Sequence, residues 1–90
     1  MSRVARTVQV TNRRGLHARA SAKFVTLAAS LPVAVGVEKD GSEVTGTSIM
    51  GLMMLGAAMG DSITISAEGD GADSAVTQLA ELVEGKFGEE

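Results

Sequence analysis

Ninety residues, 44% of them hydrophobic, suffice for one small domain (1–90) with a modest core, and the two aromatics, Phe24 and Phe87, leave aliphatic side chains, alanine and methionine to fill it. The chain has no cysteine and a single histidine, which excludes disulfides and thiolate sites and argues against any metal or resident cofactor. The net charge of −3 is polarised: residues 1–23 carry six basic groups and no acid, and residues 24–90 carry two lysines against eleven acids. Such a basic quarter on an acidic body points to a local anion site and away from general nucleic-acid binding, which needs a broader basic surface. The N-terminus has no apolar run of signal-peptide length, and the most apolar stretch, Ile49 to Met59, is too short to span a bilayer. A soluble, monomeric, cytoplasmic protein is expected, peripheral to any membrane.

Arg3 to Val10 reads as a strand, with Val4, Val8 and Val10 on one parity and Arg6 as the exception. Thr11 to Gly15 is a polar loop. From Ala18 the period changes: Ala20, Phe24, Leu27, Ala28 and Leu31 share a helical face, and Pro32 ends a helix predicted over 18–30. Val33, Val35 and Val37 alternate as a half-buried strand. Asp40-Gly41 then favours a two-residue hairpin turn, with Lys39 facing Ser42 and Val37 facing Val44. Ser42 to Thr45 returns.

Ser48 is a candidate N-cap for a short helix through Ile49-Met50-Gly51-Leu52-Met53-Met54. Leu52 and Leu55 can face inward, but Ile49, Met50, Met53 and Met54 cannot all follow on so short a helix. One or two methionines are expected to fill gaps in the aromatic-poor core, and the rest to stay exposed on a surface that suits partners. Ser62 to Glu68 is a fourth strand. Asp70 is expected to cap a last helix whose stripe is Ala72, Ala75, Val76, Leu79, Ala80, Val83 and Phe87. Strand, helix, two strands, short helix, strand and helix make an α+β, two-layer fold with helices on one face of a four-stranded sheet.

His17 sits where the loop becomes a helix, with Arg13, Arg14 and Arg19 nearby. A neutral imidazole nitrogen is a good nucleophile near neutral pH. The arginines and the positive helix end disfavour the charged ring. With His17 at the N-cap, the backbone N–H groups of Ala18 and Arg19 are expected to be free for an oxyanion, and the Arg19 side chain adds charge-assisted hydrogen bonds. Such a site suits a phosphoryl group attached to nitrogen. There is no glycine-rich phosphate loop and no obvious acid pair for magnesium, so the site reads as a carrier and not as a complete enzyme.

Gly15-Leu16-His17-Ala18-Arg19 resembles the active-site motif of HPr, the family of histidine-containing phosphocarriers of the bacterial phosphoenolpyruvate-dependent sugar phosphotransferase system. Ser48-Ile49-Met50-Gly51-Leu52-Met53-Met54-Leu55-Gly56 resembles that family's second signature, around its regulatory serine, and Ile63-Thr64-Ile65-Ser66-Ala67-Glu68-Gly69 its last strand. The resemblance spans nearly the whole chain. It implies an open-faced β-sandwich: a four-stranded sheet of order 1-4-2-3 covered on one face by three helices. It implies that His17 takes a phosphoryl group on Nδ1 from phosphorylated enzyme I and passes it to an EIIA-type protein, with Ala18 and Arg19 holding the phosphate. Ser48 corresponds to the serine modified in some members by HPr kinase/phosphorylase, and Ile49, Met50 and Met53 to partner-binding positions.

The chain departs from the family pattern in places. Ala20 stands where most members have proline, which would pre-set the first helical turn. Arg14 replaces a small polar residue, and Thr26 and Ala29 replace common lysines. Partner choice is therefore open between the sugar branch and the paralogous, regulatory nitrogen-related branch. A third reading is a non-catalytic binding module switched at Ser48.

Overall fold

Alternation of apolar and polar residues along four segments builds one sheet: β1 (Arg3–Gln9), β2 (Val35–Lys39), β3 (Ser42–Thr45) and β4 (Ser62–Glu68). The structure is a computed structural model and describes residues 3–89. The strand order is β1-β4-β2-β3, with antiparallel neighbours throughout. The helix α1 (Ala18–Ala29) carries the chain across the sheet, so β1 and β2 run in the same direction. β4 inserts between them, antiparallel to both, and no parallel pair forms among the described residues.

The register follows from the side-chain pattern. Lys39 pairs with Ser42 and Val37 with Val44 around the Asp40-Gly41 turn, as the sequence implies. One face of the sheet presents Val8, Ile63, Ile65, Val35 and Val37, all buried. The other is polar, and Thr7 and Thr64 share a 2.8 Å hydrogen bond across it. Arg6, the odd residue of the β1 parity, escapes the core by reaching Glu84 at 3.5 Å.

The helices are α1, α2 (Ile49–Met54) and α3 (Ala72–Glu84). They place Phe24, Leu52, Val76, Leu79 and Val83 in the core. Ser21, outside the predicted stripe, is buried as well, because its hydroxyl donates to the Leu16 carbonyl at 3.2 Å. Leu27 and Leu31 are only half-buried at the margin. No helix among the described residues is long and apolar enough to cross a membrane.

Three expectations are corrected. The N-cap of α3 is Gly71, not Asp70. The turn out of β4 needs a left-handed residue there (φ 90°), a conformation that glycine adopts freely, and Asp70 falls one position too early to cap. Phe87 does not extend the α3 stripe on a continuous helix. The helix stops at Glu84, and Lys86 and Phe87 reverse the chain with φ of 59° and 56°. That reversal drops the Phe87 ring into the core at 1% exposure. Finally, none of the described methionines is a core residue: Met50, Met53, Met54 and Met59 are all exposed. A six-residue helix has one fully inward position, and Leu52 takes it.

Candidate functional site

The loop after β1 is shaped by its own backbone. Gly15 N–H donates to Asn12 O at 3.2 Å and His17 N–H to Gly15 O at 2.9 Å, while Leu16 N–H ties the loop to Ala57 O at 2.9 Å. Gly15 is left-handed, with φ of 67°, and a Cβ there would lie 2.4 Å from the Ala57 carbonyl oxygen. Only glycine permits that approach.

His17 is the N-cap of α1, with extended backbone (φ −75°, ψ 179°). Its Nδ1 accepts the Arg19 backbone N–H at 3.2 Å. The sequence implies that this N–H is free for an anion; in the structure it is engaged by the imidazole, because a ring in the capping position reaches the second exposed amide. The Ala18 N–H, by contrast, has no protein acceptor among the described residues.

The other ring nitrogen meets a residue that sequence reasoning missed. Nε2 lies 3.0 Å from each carboxylate oxygen of Glu89. With Nδ1 accepting and a carboxylate at Nε2, the neutral ring carries its proton on Nε2, which donates to Glu89. Both side chains are largely shielded, at 21% and 23% exposure.

Glu89 is itself held in place. The buried Asn12 donates from Nδ2 to Glu89 Oε1 at 3.0 Å and to Gly15 O at 2.8 Å, bracing loop and tail together. Lys23 Nζ donates to Phe87 O at 2.7 Å, and Phe87 anchors the turn that points Glu89 back at the loop. The sequence carried two hints of this: acids at the end of a chain with a basic beginning, and an aromatic just before them.

The Asn12 amide and His17 together hold the Glu89 carboxyl below its ordinary value of 4.5. A lowered acid stabilises the contact above pH 4.5, and that contribution is lost as the pH falls through the lowered value. The Glu89 carboxyl is therefore expected to titrate with a midpoint below 4.5 by carbon NMR, and the His17 ring and Asn12 amide resonances should move with it. In Glu89→Gln those coupled shifts should vanish. A Glu89 midpoint at or above 4.5 would show that the contact is absent in solution.

Arg13, Arg14, Arg19, His17 and Glu89 line an open hollow of about 270 Å³. No ion pair engages the three arginines among the described residues. One carboxylate against three guanidinium groups leaves the hollow electropositive, suited to an anion with several oxygens. Ser48 stands apart as the N-cap of α2, its Oγ accepting the Gly51 N–H at 3.0 Å. Ile49, Met50 and Met53 lie exposed on that helix.

An open-faced sandwich that caps a helix with a histidine, beside an arginine-lined anion hollow, defines a small carrier-like protein. Comparison with known proteins gives the family. A family model for the HPr component of the phosphotransferase system, described by its phosphorylation site, matches residues 4–85. The phosphocarrier protein HPr of Neisseria meningitidis serogroup A is 45% identical over 83 residues, covering 92% of this chain and 93% of the relative. The phosphocarrier protein NPr of Shewanella violacea is 35% identical, covering 99% and 98%. The crystal structure of HPr-C-His from Thermoanaerobacter tengcongensis superposes with a TM-score of 0.89 at 44% identity, over 100% of this chain and 99% of that one. The chain belongs to the HPr family of phosphocarrier proteins.

Proposed function

We propose that this protein takes a phosphoryl group on His17 Nδ1 from phosphorylated enzyme I and delivers it to a histidine of an EIIA-type protein. The observation that carries the reading is the setting of the ring: Nδ1 faces the Arg19 N–H and Nε2 the Glu89 carboxylate, an arrangement that suits a proton on Nε2 and a nucleophilic lone pair on Nδ1. For transfer, the ring gives up the hydrogen bond from the Arg19 N–H, and Nδ1 attacks phosphorus as the donor's N–P bond breaks. The freed Arg19 N–H, with the Ala18 N–H beside it, then donates to the new phosphoryl oxygens. The arginines offset their charge. Delivery reverses these steps on a different partner, so His17 ends as it began, as a carrier and not an enzyme.

Incubation with phosphoenolpyruvate and enzyme I is expected to yield an acid-labile phosphate on His17. No label, or an acid-stable label, would refute the proposal. The 35% identical relative named NPr favours the regulatory nitrogen-related branch as a second reading of the same chemistry. Parallel delivery to EIIA proteins of the two branches separates them by rate.

Ser48 is proposed as a regulatory position, open to a kinase of the HPr kinase/phosphorylase type. A phosphate there adds about −1.5 to −2 charges beside the surface where the donor docks. Ser48→Asp keeps a good N-cap, so melting should be unchanged, while transfer from phosphorylated enzyme I is expected to slow on the order of tenfold. Transfer at the unmodified rate removes the regulatory role.

A further inference from the structure

Sulfur in the described part of this chain is confined to one short stretch of surface. There is no cysteine, tryptophan or tyrosine anywhere in the sequence. The four described methionines fall between residues 50 and 59, and all are exposed: Met54 at 80%, Met50 at 69%, Met59 at 59% and Met53 at 41%. A methionine used for its packing would be buried, and Leu52 shows that this helix does have a buried position to offer. The stretch also adjoins the histidine loop, since Leu16 N–H donates to Ala57 O at 2.9 Å, between Met54 and Met59 in sequence. The exposed methionines therefore lie on a segment that is hydrogen-bonded to the histidine loop.

We infer that Met50, Met53 and Met54 form a reversible oxidation site that lowers the rate at which protein partners use His17; the consequence for transfer rests on the carrier reading above. The reaction is a two-electron oxygen transfer from a peroxide-class oxidant. The thioether sulfur attacks the terminal peroxide oxygen, the O–O bond breaks, a sulfoxide forms, and the other oxygen leaves as water or alcohol. Sulfur is oxidised and the peroxide reduced. The product replaces a soft apolar side chain by a strongly polar, chiral one, and methionine sulfoxide reductases restore it. On an exposed helix face this change costs the fold little, because no core contact is lost, but it removes the apolar surface on which a partner would close.

The test has two readouts. First, dilute hydrogen peroxide is added to the full chain and each methionine is followed by peptide mass spectrometry. Sulfoxides should form in the order of exposure, Met54 and Met50 ahead of Met53, with no change in the thermal midpoint. Methionines that resist oxidation while the protein remains folded, or a midpoint that falls with them, would overturn the site.

Second, His17 phosphorylation is measured before and after oxidation with two donors, phosphorylated enzyme I and the small molecule phosphoramidate. The protein donor should slow on the order of tenfold, as for loss of an anchoring contact, and the small donor should not. Equal slowing of both donors, or of neither, sinks the inference. The triple variant Met50→Leu/Met53→Leu/Met54→Leu is compared with itself before and after peroxide, and its ratio of rates should return to one. A ratio that stays low places the sensitive group elsewhere. If the untreated protein accepts phosphate from neither donor, the carrier reading fails and the switch fails with it, whereas the sulfoxide map stands on its own.

Discussion

Replacing His17 by asparagine is expected to abolish acid-labile phosphorylation while leaving the fold within about 1 kcal/mol of its original stability. His17 caps α1, contacts Glu89 and is the proposed nucleophile, and the variant separates the cap from the nucleophile. As N-cap it accepts the Arg19 N–H at 3.2 Å, and an asparagine oxygen can take over that bond. As the proposed nucleophile it would offer Nδ1, and a carboxamide has no comparable lone pair. His17→Ala removes both functions, so it should lose the phosphate and also melt earlier, by about 4–8 °C for a domain of this size per kcal/mol of cap lost. The pair is read by labelled phosphate transfer and by thermal unfolding. Acid-labile phosphate surviving in His17→Asn would move the acceptor to another residue and overturn the proposed chemistry.

Gly15→Ala should produce the largest loss of stability. Two costs add at this position. The backbone is left-handed, which costs a non-glycine residue about 1–2 kcal/mol. The new Cβ would also stand 2.4 Å from Ala57 O and 2.8 Å from Ala58 Cα, both backbone atoms that cannot swing aside. Forcing the two segments apart adds about 1–3 kcal/mol of overpacking. It also loosens the Leu16 N–H to Ala57 O bond that seats the histidine loop. A drop in melting temperature of more than about 10 °C is therefore expected, with slower phosphoryl acceptance at temperatures where the variant is folded. Gly41→Ala is the control. It too has positive φ, 85°, but nothing lies within 4 Å of its Cβ position, so only the backbone strain remains. Equal melting shifts for the two variants would mean that the Gly15 contact with Ala57 carries no weight.

Much of the fold is legible in local patterns. The β2–β3 hairpin, the α1 and α3 stripes and the inward Leu52 follow from periods of two and 3.6 residues. Such patterns record which side of each element faces a core. They do not record how a chain bends between elements, so they place Phe87 on a helix that has already ended and assign to Asp70 the cap that Gly71 holds. The exposed apolar face of α2 is as the short helix implies, and only the expectation of one or two buried methionines fails. Their hydrophobicity marks them for a core, but the orientation of α2 over its neighbours leaves them outside.

Legible in the sequence alone are the set of elements, their order, and the place of a lone histidine at a helix start among arginines. Each depends on residues a few positions apart, within reach of local backbone geometry. Only the tertiary structure decided what surrounds that histidine. Glu89 meets it across 72 positions of chain and Asn12 meets Glu89 across 77. Gly15 is held against Ala57 by the packing of the loop that follows α2. Hydrogen bonds and contacts of that range exist only once the core has brought the two ends of the chain together. The setting of the His17 ring, with Nδ1 toward the Arg19 N–H and Nε2 toward Glu89, is thus a property of the folded molecule.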